Sequence, residues 1–496
     1  MKTVEEIKLD KNKSQYLYLQ LYEEVKKLIE SNIIEPHVKL PTIRYLASKL
    51  GVNNVTVVNA YNLLEAEGYI YKKMGSGSYV QDIRSKEVER LILDEETNMN
   101  FANLDIDIDI NNKEKIVNFA STAPMPDLFP VDDFKLVLNQ VLDRDKGRAF
   151  TYQESQGYFN LRNAISNYLS DFNIKTNEGN IHIISGAQQG IDILSKALIN
   201  YGDIVFTENP TYTGAIAVFK SRSARIVEIP INKDGIDLID LEYKLKSFKP
   251  KFIYVMPNFQ NPTGYSYSVA KKKKLIELAT KYNFYIIEDD YLSDLDFFTQ
   301  SKNTLKSLDT SDKVVYIKSF SKIFMPGLRL AFMIIPKSIY NEVLSAKHIS
   351  DISTSGLIQR AFHLYLEKGI WQKHIRNVNT IYTERYKTIV KSVRKHMPKE
   401  VKYILPQGGL SFWFSLPSGY SANELYRLCL KNDISIAPGS LFDIWQRDTH
   451  FFRLSIASIH NDEIDYGIAK LAHIINYFLK NFQKDRISID LYNNLF

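Results

Sequence analysis

At 496 residues and 45% hydrophobic content the chain is too long for one ordinary domain and apolar enough for more than one core. One cysteine excludes an intramolecular disulfide framework, and nine histidines in no ligand-like cluster argue against a structural zinc site, which sets metal and redox chemistry aside. The 63 Lys and Arg against 57 Asp and Glu give +6, which permits a nucleic-acid partner without requiring one; no apolar run approaches the ~18 residues that span a bilayer, so the expectation is a cytoplasmic protein without membrane contact.

In chain order, residues 15–30 place Leu21, Val25, Leu28 and Ile29 on one helical face. Beyond Pro36, a second short helix opens at Pro41-Thr42-Ile43-Arg44, buries Ile43, Leu46, Ala47 and Leu50, and stops at Gly51. A third starts at the capping residues Asn53 or Asn54 and buries Val57, Ala60, Tyr61 and Leu64. Two β-prone pieces, 69–73 and 78–80, flank Met74-Gly75-Ser76-Gly77, whose glycines suit a tight hairpin. Three helices and a hairpin predict a winged helix-turn-helix over residues 14–80. From 81 to 116 periodicity fails and ten acidic residues outnumber five basic ones, which reads as a linker. Short β-branched runs at 181–185, 204–207, 251–256, 284–289, 314–319 and 330–335 then alternate with helical segments and predict a mostly parallel α/β domain over 117–345. Helices dominate after 346, with strands at 410–415 and 451–456, so 346–480 reads as a smaller α+β subdomain and 481–496 as a tail.

The exposed start of a recognition helix should be polar or small, and Asn53, Asn54, Thr56 and Asn59 satisfy this. Asparagine can bond adenine N6 and N7, Arg44 can reach a guanine edge or a phosphate, and Lys72 and Lys73 on the wing suit phosphates. The plainer alternative is that Asn53 or Asn54 only caps its helix. Residues 1–80 carry eleven basic and nine acidic side chains, so DNA contact rests on placement rather than bulk charge. Leu40-Pro41-Thr42-Ile43-Arg44, Thr56-Val57 with Ala60-Tyr61, Glu67-Gly68-Tyr69 and Gly75-Ser76-Gly77-Ser78-Tyr79-Val80, in order and spacing, resemble the GntR family of winged helices. Thr42 and Asn54 depart from the family's usual Ser and Arg, so base preference does not carry over.

In the α/β part, five segments lie where such sheets bind ligands, at strand C-termini. Ser185-Gly186-Ala187-Gln188-Gln189 can hold an anion on backbone amides at a helix start. Glu208-Asn209-Pro210-Thr211-Tyr212, Asn261-Pro262-Thr263-Gly264, Glu288-Asp289-Asp290-Tyr291 and Ser319-Phe320-Ser321-Lys322 follow, with Arg329 behind the last. Pyridoxal phosphate chemistry asks for a lysine, a carboxylate opposite the pyridine nitrogen, donors to the phenolic oxygen, an aromatic ring and an anion cradle. The set resembles the fold-type I aminotransferases from about 117 to 479. That resemblance implies a Schiff base on Lys322, Asp289 at the ring nitrogen, Asn261 and Tyr291 at the phenolic oxygen, and Tyr212 stacked on the ring. It also implies a phosphate among the amides of Ala187 and Gln188, the hydroxyls of Ser319 and Ser321, and Arg329, with Tyr152 serving the neighbouring subunit's phosphate. Arg453 resembles the arginine that binds an amino acid's carboxylate; alone it could be a structural ion-pair residue. Lys318, on the same strand as Lys322, is the competing amine, disfavoured by the Ser-x-Ser-Lys spacing.

Joined in this order the two resemblances point to the MocR group of regulators. They imply a head-to-tail homodimer that binds promoter DNA and senses an amino acid or amine. The alternative is a working aminotransferase with a subsidiary DNA head, to which the Pro257–Gly264 segment lends weight by its likeness to active enzymes.

Overall fold

The computed structural model describes residues 4–7, 9–10, 16–30, 33–34, 38–66, 69–73, 77–80, 116–295, 297–298 and 303–481. Pro36, Glu67, Gly68, Met74, Gly75, Ser76, the stretch 81–115 read as a linker, and the tail after 481 lie outside the described residues, as do the side chains of Lys72 and Lys73. The chain divides into two compact units, Met1–Asn100 and Phe101–Phe496.

In the first unit, α1 (Leu17–Glu30), α2 (Ile43–Leu50) and α3 (Asn54–Ala66) precede an antiparallel hairpin of β1 (Ile70–Lys73) and β2 (Gly77–Val80). The predicted stripes form its core, with Leu21, Val25, Leu46, Val57, Ala60 and Leu64 at 0% exposure, while Ile43 and Leu50, expected buried, are partly buried against it. Helix α2 starts because the Thr42 side chain accepts the Tyr45 N–H, and it ends because Gly51 takes the left-handed conformation at φ 63° and returns its N–H to Ala47 and Ser48. The Tyr61 hydroxyl donates to the Pro41 carbonyl at 3.0 Å and sets α3 against the start of α2. Two features escaped the periodicity. Val4 and Ile7 are buried in this core, ahead of the expected start at residue 14. Residues 38–40 pair with β2 through Leu40 N–H to Ser78 and Val80 N–H to Val38.

The second unit is built on an eight-stranded sheet: β4 (Ile181–Ile184), β5 (Ile204–Asn209), β6 (Arg225–Asn232), β7 (Gly235–Ile236), β8 (Pro250–Val255), β9 (Tyr285–Asp290), β10 (Val314–Ser319) and β11 (Ala331–Ile334). Its order is β4-β11-β10-β9-β8-β5-β6-β7. β6, β5, β8, β9 and β10 pair in parallel, β7 runs antiparallel to β6, and β11 runs antiparallel to both β10 and β4. Parallel neighbours need a crossover, so the C-terminal ends of β5, β8, β9 and β10 lie side by side and their following loops converge.

The smaller half carries an antiparallel sheet of β12 (Lys402–Ile404), β13 (Ser411–Ser415), β15 (Ala437–Pro438) and β16 (Phe451–Ser455), in the order β12-β13-β16-β15. It also holds the long helix Ile370–His396 and the helix Ile464–Asn481. It is not contiguous in sequence. Strand β3 (Val117–Asn118), at the start of the expected large domain, pairs in parallel with β14 (Ile434–Ser435), and Ser455 donates its N–H to the Phe119 carbonyl. Residues 117–123 therefore belong with the C-terminal half.

Candidate active site

The converging loops enclose a cavity of about 340 Å³, lined by Ala187, Gln188, Tyr212, Asn261, Asp289, Tyr291, Ser319, Ser321, Lys322, Arg329 and Arg453. These are the residues read from the sequence as cofactor or ligand contacts, with one exception. Tyr152 is 82% exposed and does not line the cavity.

One end is built for an anion. The helix Ala187–Leu198 starts at Gly186, which adopts φ 97°, ψ 160°, a conformation open essentially only to glycine, and has no side-chain cap. Ala187 and Gln188, its first residues, line the cavity, so the start of the helix, with its dipole, borders the cavity. Arg329 donates to the Ser185 carbonyl at 2.9 Å, so its guanidinium lies across Gly186, and a Cβ there would collide with it. Ser319 and Ser321 line the same cavity.

At the carboxylate end, Asp289 is 4% exposed and accepts the Tyr254 hydroxyl on Oδ2 at 2.6 Å, while its Oδ1 is buried with no hydrogen-bond partner. Burial pushes this carboxyl up to about 6, with the Tyr254 bond pulling the other way. An orphaned, buried acceptor beside a cavity fits a protonated ring nitrogen. Tyr254 was missed because nothing in its strand marks it beyond β alternation. The Tyr212 hydroxyl meets Gln188 Oε1 at 3.1 Å, and the Tyr291 hydroxyl donates to the Phe259 carbonyl at 2.6 Å.

Arg453 is 3% exposed on β16. It donates to Asn261 Oδ1 at 2.8 Å and to the Ala120 carbonyl, with its guanidinium 5.0 Å from the Phe442 ring centre. It thereby joins the β8 loop to the segment 117–123, whose Thr122 and Ala123 also line the cavity and carried no sequence signal. A second missed group clamps the loops from behind. Buried Glu208 accepts the Tyr267 hydroxyl at 2.5 Å and Gln260 Nε2 at 3.3 Å, and Gln260 also donates to the Pro210 carbonyl at 2.7 Å. Burial pushes Glu208 up to about 7, against the pull of those donors.

Lys322 lines the cavity and Lys318 does not. Strand alternation turns Lys318 to the opposite face from Ser319, where it is fully buried 2.6 Å from Asp294 and 3.2 Å from Asp290. A lysine locked between two carboxylates is no competitor for a nucleophile's role.

In the winged helix Arg44, Asn54 and Asn59 are exposed and Thr56 is half-buried. Asn53 Oδ1 accepts the Val55 N–H at 3.0 Å, so that oxygen serves as a cap.

The anion seat, the orphaned carboxylate oxygen and Lys322 together fit pyridoxal phosphate. Residues 114–471 match the aminotransferase class I and II family and residues 17–80 the gntR family of bacterial regulatory proteins. The uncharacterized HTH-type transcriptional regulator YdcR of Escherichia coli K12 is 30% identical over 463 residues, covering 92% of this chain and 98% of YdcR. Aromatic-amino-acid aminotransferase 1 of Thermococcus litoralis is 29% identical over 371 residues, 74% of this chain and 89% of that enzyme. The crystal structure of LysN, the α-aminoadipate aminotransferase of Thermus thermophilus in complex with N-(5'-phosphopyridoxyl)-L-leucine, superposes with a TM-score of 0.70 at 30% identity, over 74% of this chain and 94% of that one. Pyridoxal phosphate is accordingly the cofactor for which this cavity is built. The chain belongs to the aminotransferase class I and II family, as a member whose aminotransferase domain is joined to a GntR winged helix in the manner of the HTH-type transcriptional regulators.

Proposed function

We propose that this protein is a transcription regulator whose winged helix binds promoter DNA and whose aminotransferase-type domain, loaded with pyridoxal phosphate, senses an amino acid or a related amine. The observation that carries the reading is the coexistence in one chain, similar to YdcR over 92% of its length, of a packed winged helix and a complete cofactor cavity.

Bound pyridoxal phosphate supplies an electron sink for charge developing at the Cα of an amine held beside it. The chain's own residues do the rest. Asp289 would hold a proton at the ring nitrogen through its unpaired Oδ1, the Ala187 and Gln188 amides with Ser319, Ser321 and Arg329 would hold the phosphate, and Tyr212 would cover the ring. Asn261 and Tyr291 orient the ring's oxygen. Lys322 is the amine that takes the cofactor and can carry a proton at the ligand's Cα. Arg453 binds the ligand's carboxylate in a two-pronged contact. Because Arg453 belongs to the smaller half and Lys322 to the larger, a ligand touching both favours one arrangement of the halves, which is how binding shifts an equilibrium. In a head-to-tail homodimer, with Tyr152 completing the neighbour's phosphate seat, that shift changes the spacing of two winged helices that must meet half-sites about 34 Å apart or a multiple of it. Arg44, Asn53, Asn54, Thr56, Asn59, Lys72 and Lys73 make the DNA contacts.

A second reading, an active aminotransferase with a subsidiary DNA head, is supported by the same completeness of the cavity. One experiment separates the two. The pyridoxal-phosphate-loaded protein is titrated with a panel of amino acids while its visible absorbance, keto-acid release and affinity for the DNA upstream of its own gene are followed. A spectral change that alters DNA affinity without turnover supports the sensor. Rapid turnover with no effect on DNA refutes it in favour of the enzyme.

A further inference from the structure

Three consecutive acids, Glu288, Asp289 and Asp290, end β9, and all are buried at 4% exposure or less. Alternation sends Asp289 toward the cavity and its neighbours to the other face. Each of those has its own answer. Glu288 accepts the amides of Leu305 and Lys306, both at 2.7 Å. Asp290 accepts the Tyr316 hydroxyl at 2.5 Å and the Ser293 N–H at 3.0 Å, and faces the Lys318 ammonium at 3.2 Å. The same ammonium is 2.6 Å from Asp294, whose other oxygen accepts the Tyr168 hydroxyl at 2.7 Å. Lys318 stands opposite Asp290 in the β9–β10 register, one residue from Asp289 on one strand and four from Lys322 on the other.

We propose that Lys318 is a positioning residue for the cofactor, the buried counter-charge to Asp290 and Asp294 that lets Asp289 stay ionised at the end of β9, in register with Ser319, Ser321 and Lys322 at the end of β10. The inference rests on the pyridoxal phosphate reading of the cavity. A buried carboxylate beside another cannot ionise cheaply, and removing one partner of a buried pair leaves an uncompensated charge. The groups that act on Asp289 are Tyr254 from β8, Glu208 from β5 and Lys322 across the cavity, with Asp290 on its own strand and Lys318 on β10 acting from the other face of the sheet. Of these, Lys318 alone brings a positive charge to it from within the core. Burial works against ionising Asp290, yet Lys318, with the Tyr316 and Ser293 bonds, holds it below the usual carboxylate range.

The test is a charge series in the full-length protein, reading pyridoxal phosphate affinity against pH by the visible absorbance of the bound cofactor. Affinity falls on the acid side as Asp289 takes up a proton. Lys318→Met moves that fall to higher pH, by about one unit, which weakens binding about tenfold on the acid side of about pH 6 and only about twofold near neutrality. Asp294→Asn, which keeps an acceptor for Tyr168 and removes a negative charge, moves it to lower pH. Lys318→Met with Asp294→Asn restores the net charge and returns the profile toward wild type. Opposite displacements with rescue in the double variant establish the role; profiles that coincide with wild type, whatever happens to the melting temperature, overturn it. Should Lys318→Met not fold, Asp294→Asn decides alone, because a profile that stays put or moves upward is incompatible with the proposal. A wild-type protein that does not take up pyridoxal phosphate overturns the cofactor reading itself, whereas uptake by wild type with an unmoved series overturns only the role of Lys318.

Discussion

Asp289 should make the cofactor-free domain less stable than it could be, and replacing it with Asn should show this as a pH-dependent gain. Burial raises its carboxyl from 3.8 to about 6, so the folded chain binds this proton more tightly than the unfolded chain. The sign follows from linkage: the stabilising contribution is fully present below about 3.8, is lost as pH rises to about 6, and stays lost above it. At ~1.4 kcal/mol per tenfold in proton affinity, the displacement amounts to about 3 kcal/mol. Asn cannot ionise and escapes that loss, although its amide adds an unsatisfied buried donor worth about 1–3 kcal/mol at every pH. The informative quantity is therefore the change in the difference between variants from pH 4 to pH 7. Thermal unfolding of the cofactor-free proteins should show Asp289→Asn gaining on wild type by several degrees over that interval. In the same variant the affinity for pyridoxal phosphate should fall about tenfold or more, because a charge-assisted bond contributes ~1.5–3 kcal/mol. Parallel pH profiles for the two cofactor-free proteins would refute the argument, since Glu208 and Glu288 titrate in both and cancel.

Gly186→Ala should weaken pyridoxal phosphate binding roughly 5- to 150-fold in equilibrium dialysis, because the residue sits at φ 97° and its new Cβ meets the Arg329 guanidinium, a strain of about 1–3 kcal/mol. Arg453→Gln should cost α-amino acids about 1.5–3 kcal/mol of binding, or ~10- to 150-fold, and leave amines without a carboxylate nearly unaffected; equal losses for both ligand types would argue that Arg453 is structural. Leu64→Ala, at 0% exposure in the core of the winged helix, should cost about 2–5 kcal/mol and abolish DNA binding in a gel-shift assay while pyridoxal phosphate uptake persists.

The site was legible in the sequence to the extent that its chemistry sits at strand ends. Lys322, Asp289, Asn261 and Arg329 are each fixed by a short local pattern, and parallel strands bring such patterns together without further information. What escaped was carried by partners distant in sequence. Tyr254 meets Asp289 across 35 positions and Arg453 meets Ala120 across 333, and neither relation leaves a periodic trace. Strand β6 was not among the runs read as strands; its Pro230 stands at the far end of its pairing with β5. The start of the expected large domain carried a related blind spot: β3 is two residues long, and only its pairing with β14 places it with the smaller half.

The buried carboxylate also bears on why a sensor would keep an enzyme's cavity. A ligand present at a hundred times its dissociation constant stabilises the state that binds it by about 2.7 kcal/mol. That is the size of the penalty attached to ionised Asp289, so saturation with pyridoxal phosphate offsets what the cofactor-free fold gives up. Had the position been filled by a neutral residue, the cofactor-free fold would escape the ionisation penalty and would bind the cofactor more weakly. An ionised Asp289 with an open Oδ1 would therefore make folded stability report on cofactor supply under the proposed function. Arg453 bridges Asn261 and Ala120, so a ligand carboxylate bound to it under the proposed function would make the join between the halves report on the second molecule. Neither property requires turnover, and both follow from side chains an aminotransferase would use anyway.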